Sequence, residues 1–347
     1  MEPTSDGAGL YRAWLHGCAV SFVVLTFVLI VLGGTVTSKD AALAVPDWPQ
    51  SYGYNMFLFP PSMWVGGIFW EHLHRLLGSL VGLVAIFMAV CLWYTQRDRR
   101  WLRWLGVGTL ALVIVQGVMG GLRVTQISSA WAVLHGVGAQ VFLCTTVLIA
   151  SATGRLWLGR AVLKPDMPRH SMLLRRLGLL LLGAVLLQLV LGALVRHGGA
   201  ALAIPDFPGH YGGLVPPLTE QQIAAAHDEL VPYEEHHAAS YPTPAQVGVH
   251  LAHRLGALVV LAMAVVAIGR LMRGCHGDRA IARPALTICG LLLTQVALGA
   301  AVVLSGRHPE IATAHQATGA ALLACTALLA FRLIALRPQP ATTAHAA

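Results

Sequence analysis

Residues 30–53 read IVLGGTVTSKDAALAVPDWPQSYG, and residues 189–212 read LVLGALVRHGGAALAIPDFPGHYG. They align without a gap on A-A-L-A-[VI]-P-D-[WF]-P, with Tyr-Gly two residues further on. Later matches keep the same order. His74-Arg75 pairs with His253-Arg254, Gln116 to Gly120 with Gln295 to Gly299, and Leu134-His135-Gly136 with Ala314-His315-Gln316. A long internal repeat constrains architecture more than any single motif does. The chain is one unit written twice.

The unit is written in apolar residues. Of 347 residues, 56% are hydrophobic and 11% charged, with mean hydropathy +0.68. A soluble domain carries roughly 25% charged residues. A spanning helix needs about 20 predominantly apolar residues. Segments long enough run at about 14–37, 69–95, 101–123, 130–152, 173–196, 248–271, 281–304 and 311–333. Four helices separate equivalent positions, so the copies share one orientation and are related by an axis along the membrane normal. The expected fold is an all-α integral membrane protein, its eight transmembrane helices forming two tandem, parallel-repeated four-helix bundles. The units are 1–153 and 173–347, joined by a basic linker at 154–172. The first apolar run is longer than a secretory signal core and lacks a small-residue cleavage site, so it is read as a span.

The net charge of +8 is a topology signal and not one for nucleic acid. Arg97, Arg99, Arg100 and Arg103 lie between segments two and three, Arg155 to Arg176 between four and five, and Arg270 to Arg283 between six and seven. The intervening loops are poor in Lys and Arg. The positive-inside rule then places both termini in the cytoplasm and the long loops, 38–68 and 197–247, outside. The six cysteines, Cys18, Cys91, Cys144, Cys275, Cys289 and Cys325, avoid those long loops and show no metal-type spacing. The run Glu234-Glu235-His236-His237 reads as a solvated loop.

Ionisable residues at the mouth of an apolar span point to a site. Glu71-His72-Leu73-His74-Arg75 opens segment two, and His250-Leu251-Ala252-His253-Arg254 opens segment six. Glu71 and His74, three apart, share a helix face. Of 16 histidines, His74, His135, His253 and His315 stand at matching depths in even-numbered segments, while His197 and His210 fall in long loops. A lone intramembrane His is often a packing or interhelical hydrogen-bond residue. Four at repeated positions suit opposite axial ligands of one haem per unit, His74 with His135 and His253 with His315. Zinc asks for three or four converging ligands. Arg75 and Arg254 next to them could meet haem propionates or snorkel to headgroups. Arg123 and Arg196, at helix ends, are further candidates for a propionate. Gly33-Gly34, Gly120-Gly121, Gly192 and Gly299 could bring helices together or make room for a flat ligand.

These motifs in this order resemble the haem A synthase family. The Gly-Gly with Pro-Asp-Trp-Pro, Glu-x-x-His-Arg, Leu-His-Gly, His-Arg and His-Gln carry the likeness from about 14 to 333. The resemblance implies oxidation of the C8 methyl group of haem O to the formyl group of haem A. The route is successive hydroxylation to a gem-diol that loses water, and the product serves terminal oxidases. It implies a catalytic N-terminal unit, with Glu71, His74 and His135 at the haem O/haem A site. It also implies a resident haem b on His253 and His315, with Arg75 and Arg254 as cofactor-binding residues. Haem O is the substrate and lipid the surroundings. Haem O synthase, terminal oxidase assembly factors and a second copy of the chain are candidate partners, and the electron donor is open. The expected location is the inner (plasma) membrane. Many bacterial members carry a cysteine pair in the long loops; this chain does not, which places it beside the mitochondrial-type, cysteine-free branch. A two-haem b-type cytochrome relaying electrons from quinol is the alternative. It explains less well why His250 replaces Glu71 in the second copy.

Overall fold

The computed structural model describes residues 12–158, 171–230, 241–275 and 278–335. Among these, eight helices are long and apolar enough to cross a membrane. They are α1 Ala13–Ser38, α2 Gly66–Thr95, α3 Arg100–Thr125, α4 Ser129–Thr153, α5 Ser171–His197, α6 Pro244–Cys275, α7 Arg279–Leu304 and α8 Pro309–Ala335. Each extends the apolar segment read from the sequence by one to four residues at most ends. At 1.5 Å per residue, 26 residues cover about 39 Å, enough for a hydrocarbon core of about 30 Å. Polar side chains close some helix starts. Asp278 accepts the Ala280 N–H at 2.8 Å before α7, and Ser128 faces the Trp131 N–H before α4.

Helix contacts close two rings, α1–α2–α3–α4 and α5–α6–α7–α8. Each ring has its own apolar centre, around Phe22, Met88, Leu92 and Ile149 in the first and Leu181, Leu271, Ile288 and Leu323 in the second. The rings meet through α1 with α8, α4 with α5, and α4 with α8. Exchanging each helix for its repeat partner maps that set of contacts onto itself. Large side chains such as Leu83, Phe87, Leu258 and Val265 stand exposed on the ring exteriors, where lipid would cover them.

Both long loops pack on the same end of the bundle. Residues 39–65 contain two short 3-10 turns, Met56–Leu58 and Pro61–Met63. The second loop carries a short helix, Glu220–Leu230, whose Ile223 is fully buried against Val195, Ile204 and Val247. The Glu234-Glu235-His236-His237 run and most of the 154–172 linker lie outside the described residues.

Candidate functional site

At the long-loop end of each ring two imidazoles face each other. The ring centres of His74 and His135 are 6.5 Å apart with planes at 88°; those of His253 and His315 are 6.4 Å apart at 81°. Two imidazoles on opposite sides of one iron, with metal–nitrogen bonds of about 2 Å, place their ring centres about 6.3 Å apart. Both pairs fit that spacing. Among the described residues no three His, Cys, Asp or Glu side chains converge to hold a bare ion. Two protein ligands suffice when a porphyrin supplies the other four.

Four glycines explain how the imidazoles reach this position. A methyl group on Gly33 would stand 2.9 Å from His74 Cε1. On Gly120, Gly192 and Gly299 it would stand 3.2, 3.2 and 3.1 Å from Cε1 of His135, His253 and His315. In a helix a side chain covers the turn N-terminal to its own Cα. Without one, the carbonyl four residues earlier lies open to the ring. His135 Nδ1 meets the Gln116 carbonyl at 3.1 Å. Donation there leaves Nε2 with the free lone pair a metal needs. His74 and His315 turn toward the corresponding carbonyls of Leu29 and Gln295 without closing a hydrogen bond at Nδ1. His253 is held by Gln188, whose Nε2 donates to the His253 carbonyl at 2.8 Å and lies 3.0 Å from Nδ1. The glycine faces thus make room for the ring histidines. Gly33→Ala is expected to weaken metal-centre assembly in the first ring about 10- to 100-fold, the usual effect of disturbing what orients a ligand. Haem content and the low-spin absorption band of the purified variant check it.

The repeated Pro-Asp-[Trp/Phe]-Pro stretches form the same turn twice. Asp47 accepts the Tyr52 and Gly53 amides at 2.7 and 2.8 Å; Asp206 accepts those of Tyr211 and Gly212 at 2.7 and 2.9 Å. Tyr52, Gly53, Tyr211 and Gly212 all have positive φ, and the aspartates hold that backbone. Burial raises the Asp47 pKa, but the Gly53 and Tyr52 amides and Arg75 outweigh it and keep the carboxyl below its ordinary value. Tyr211 donates to the Ala203 carbonyl at 2.6 Å, and burial with the Asp206 charge pushes its phenol up to about 12. It remains a donor throughout the neutral range.

The arginines beside the histidine pairs clamp these turns. Arg75 Nη1 donates to the carbonyls of Asp47 and Gln50 at 2.7 and 2.9 Å, and Nη2 to the Val45 carbonyl at 2.8 Å and Glu71 Oε1 at 2.7 Å. Arg254 does the same, with Nη1 on Gly209 at 2.8 Å and Nη2 on Ile204 and Asp206 at 3.1 and 2.7 Å. Neither propionate nor headgroup had suggested these partners. Glu71, 4% exposed, also accepts the Val45 amide at 2.9 Å through Oε2. His250 stands in its place. Its Nδ1 faces the equivalent Ile204 amide at 3.2 Å and its Nε2 faces Arg254 Nε at 3.2 Å. The two residues perform one task, tying the turn to the helix that carries the paired histidine.

Two other histidines lie outside the pairs. His72 is fully buried under the first loop, between Phe59 and Trp64, with Nδ1 3.3 Å from Ser51 Oγ. His197, expected in a loop, is the last residue of α5, and its Nε2 would lie 3.6 Å from a methyl group on Gly136. It reaches from one ring to the neighbour of His135 in the other. No spacing rule could place it there, because the contact depends on how α4 meets α5.

Residues 62–327 match the family described as cytochrome oxidase assembly protein. The chain is 28% identical over 342 residues to a protein of Chelativorans sp. named "Heme A synthase", covering 90% of this chain and 89% of that one. It is 32% identical over 266 residues to a "Heme A synthase" of Methylobacterium nodulans, covering 75% and 68%. A third, from Allorhizobium ampelinum, is 27% identical over 366 residues, covering 97% and 92%.

Proposed function

The chain belongs to the haem A synthase family of cytochrome oxidase assembly proteins, and on that footing we propose that it oxidises the C8 methyl group of haem O to the formyl group of haem A. The observation that carries the reading is the pair of histidine pairs, each at iron-spanning distance and each seated on repeat-equivalent glycines. The helices make it a multi-pass membrane protein, and its bacterial relatives point to the plasma membrane. The basic loops favour cytoplasmic termini, with the long-loop end and both sites toward the outer face.

In this reading α1–α4 is the catalytic unit and α5–α8 holds a resident haem b on His253 and His315. Bound haem supplies an iron that cycles electrons, and the residues around it decide what that iron can reach. His74 and His135 would hold the substrate iron and so fix the distance from the porphyrin edge to the surrounding side chains. The turn around Asp47, clamped by Arg75, closes the mouth of the ring against water. A hydroxylation in which water supplies the oxygen would release two protons and two electrons at the methyl carbon, and Glu71, on the same helix face as His74, is the carboxylate placed to take one proton at Oε1 or Oε2. Held by both His74 and His135, the iron would supply electron withdrawal from the methyl carbon; release of one imidazole would be the condition for any other route.

Expression in cells that make haem O, followed by extraction and chromatography of the haems bound to purified protein, tests the assignment. Haem A or its hydroxylated precursor is the expected result. Haem b alone, at two per chain, would replace the enzyme with an electron relay.

A further inference from the structure

Of the cations nearest the histidine pairs in sequence, Arg75 has all four Nη hydrogens engaged by its turn and by Glu71, and Arg254 has three engaged by its turn. A different pair of arginines stands at the long-loop end, one from each ring. Arg123 closes the last turn of α3, and Arg196 stands one residue before the end of α5. Arg196 Nη2 donates only to neutral groups, the Gly34 carbonyl at 2.6 Å and Ser38 Oγ at 2.7 Å. Arg123, mostly buried, forms no hydrogen bond or ion pair with a described residue. The two guanidinium groups lie close enough to act on each other's charge, and both act on His197. Arg123 stands three residues after Gly120, the seat of His135, on the same face of α3; its charge acts on His74 and His135, and that of Arg196 on His315. Glu71 is the carboxylate in Arg123's field and is bound to Arg75; Asp40 is the one in Arg196's field and is bound to Arg307.

Two cations brought together inside an apolar bundle without an anion of their own are unfavourable unless a ligand completes them. The cluster is not part of the repeated equipment. Val302 stands at the position of Arg123 in the second copy, and Thr37 at that of Arg196 in the first. We propose that Arg123 and Arg196, with His197 beside them, form a carboxylate receptor for the propionate groups of the porphyrin held by His74 and His135. This rests on the reading that the α1–α4 ring takes a porphyrin. Arg196 comes from the other ring, so the receptor is complete only when both are present. Arg75 is left as a clamp on the loop.

The test is titration of purified full-length protein with iron protoporphyrin and with its dimethyl ester, following the low-spin band. A His74→Ala/His135→Ala protein identifies which equivalent belongs to the first ring, and the second-ring equivalent reports that each variant is folded. Arg123→Gln is expected to weaken first-ring uptake of the free acid about 10- to 100-fold and to leave ester uptake at the wild-type level. Arg123→Lys, which keeps the charge but not the planar fork, should fall between. The first-ring reduction potential should drop in Arg123→Gln as the positive charge is removed. Wild-type uptake of the free acid by Arg123→Gln would overturn the proposal, as would an equal loss for the ester, which would mark a packing role. An unchanged haem count in the His74→Ala/His135→Ala protein would remove the porphyrin premise and the proposal with it.

Discussion

His74→Ala and His135→Ala are each expected to reduce haem A formation to less than about 1% of wild type, with the α5–α8 haem still bound and low-spin. The reason lies in how separately the two pairs are built. His74 sits on Gly33 of α1 and His135 on Gly120 of α3, whereas His253 and His315 sit on Gly192 of α5 and Gly299 of α7. No ligand histidine shares a seat with one from the other ring. Losing one imidazole therefore breaks one pair locally and leaves the apolar centre around Leu181 and Leu323 untouched. His253→Ala should do the reverse, emptying the second ring while substrate still binds the first. Haem extraction and the reduced-minus-oxidised spectrum of each variant check this. Loss of both haems from His74→Ala would mean that the rings do not assemble independently.

The helices and the histidine pairs were legible because apolar length and exact repetition are properties of the chain itself. The repeat places His74 opposite His135 and His253 opposite His315, since each pair stands at matching depth on two helices of the same direction in one ring. What could not be read was lateral. The glycines were visible, but whether they received a neighbouring helix, a ligand or a ring depended on which face met which. Arg75 and Arg254 were visible as cations needing partners, yet those partners are backbone carbonyls 25 to 50 residues away in sequence, which no side-chain pattern announces. His197 reads as a loop residue and Arg196 as a helix end; only the α4–α5 contact and the reach of Arg196 to Gly34 and Ser38 of α1 make them neighbours of the first ring. Composition encodes depth in the membrane well and azimuth around the helix poorly.

That distinction bears most on Glu71. Its absence from the second copy suggested chemistry, but the structure shows His250 meeting the same amide and the same arginine. The shared part of the role is therefore mechanical, and what differs is charge. A carboxylate accepts from both donors at once, while a neutral imidazole has one acceptor nitrogen and can satisfy only one. Glu71→Ala leaves the Val45 amide and Arg75 unmatched in a buried place. It is expected to loosen the turn and lose both haem O retention and haem A formation. Glu71→His separates the two roles, because the second ring already uses that residue there. It is expected to keep the turn and the bound haem while haem A formation falls at least about 100-fold, the scale of a lost proton-transfer group. The measurement is the ratio of haem A to haem O in the purified variant at equal haem occupancy. Wild-type product from Glu71→His would reduce Glu71 to a latch, and the proton would have to leave by another group in the first ring.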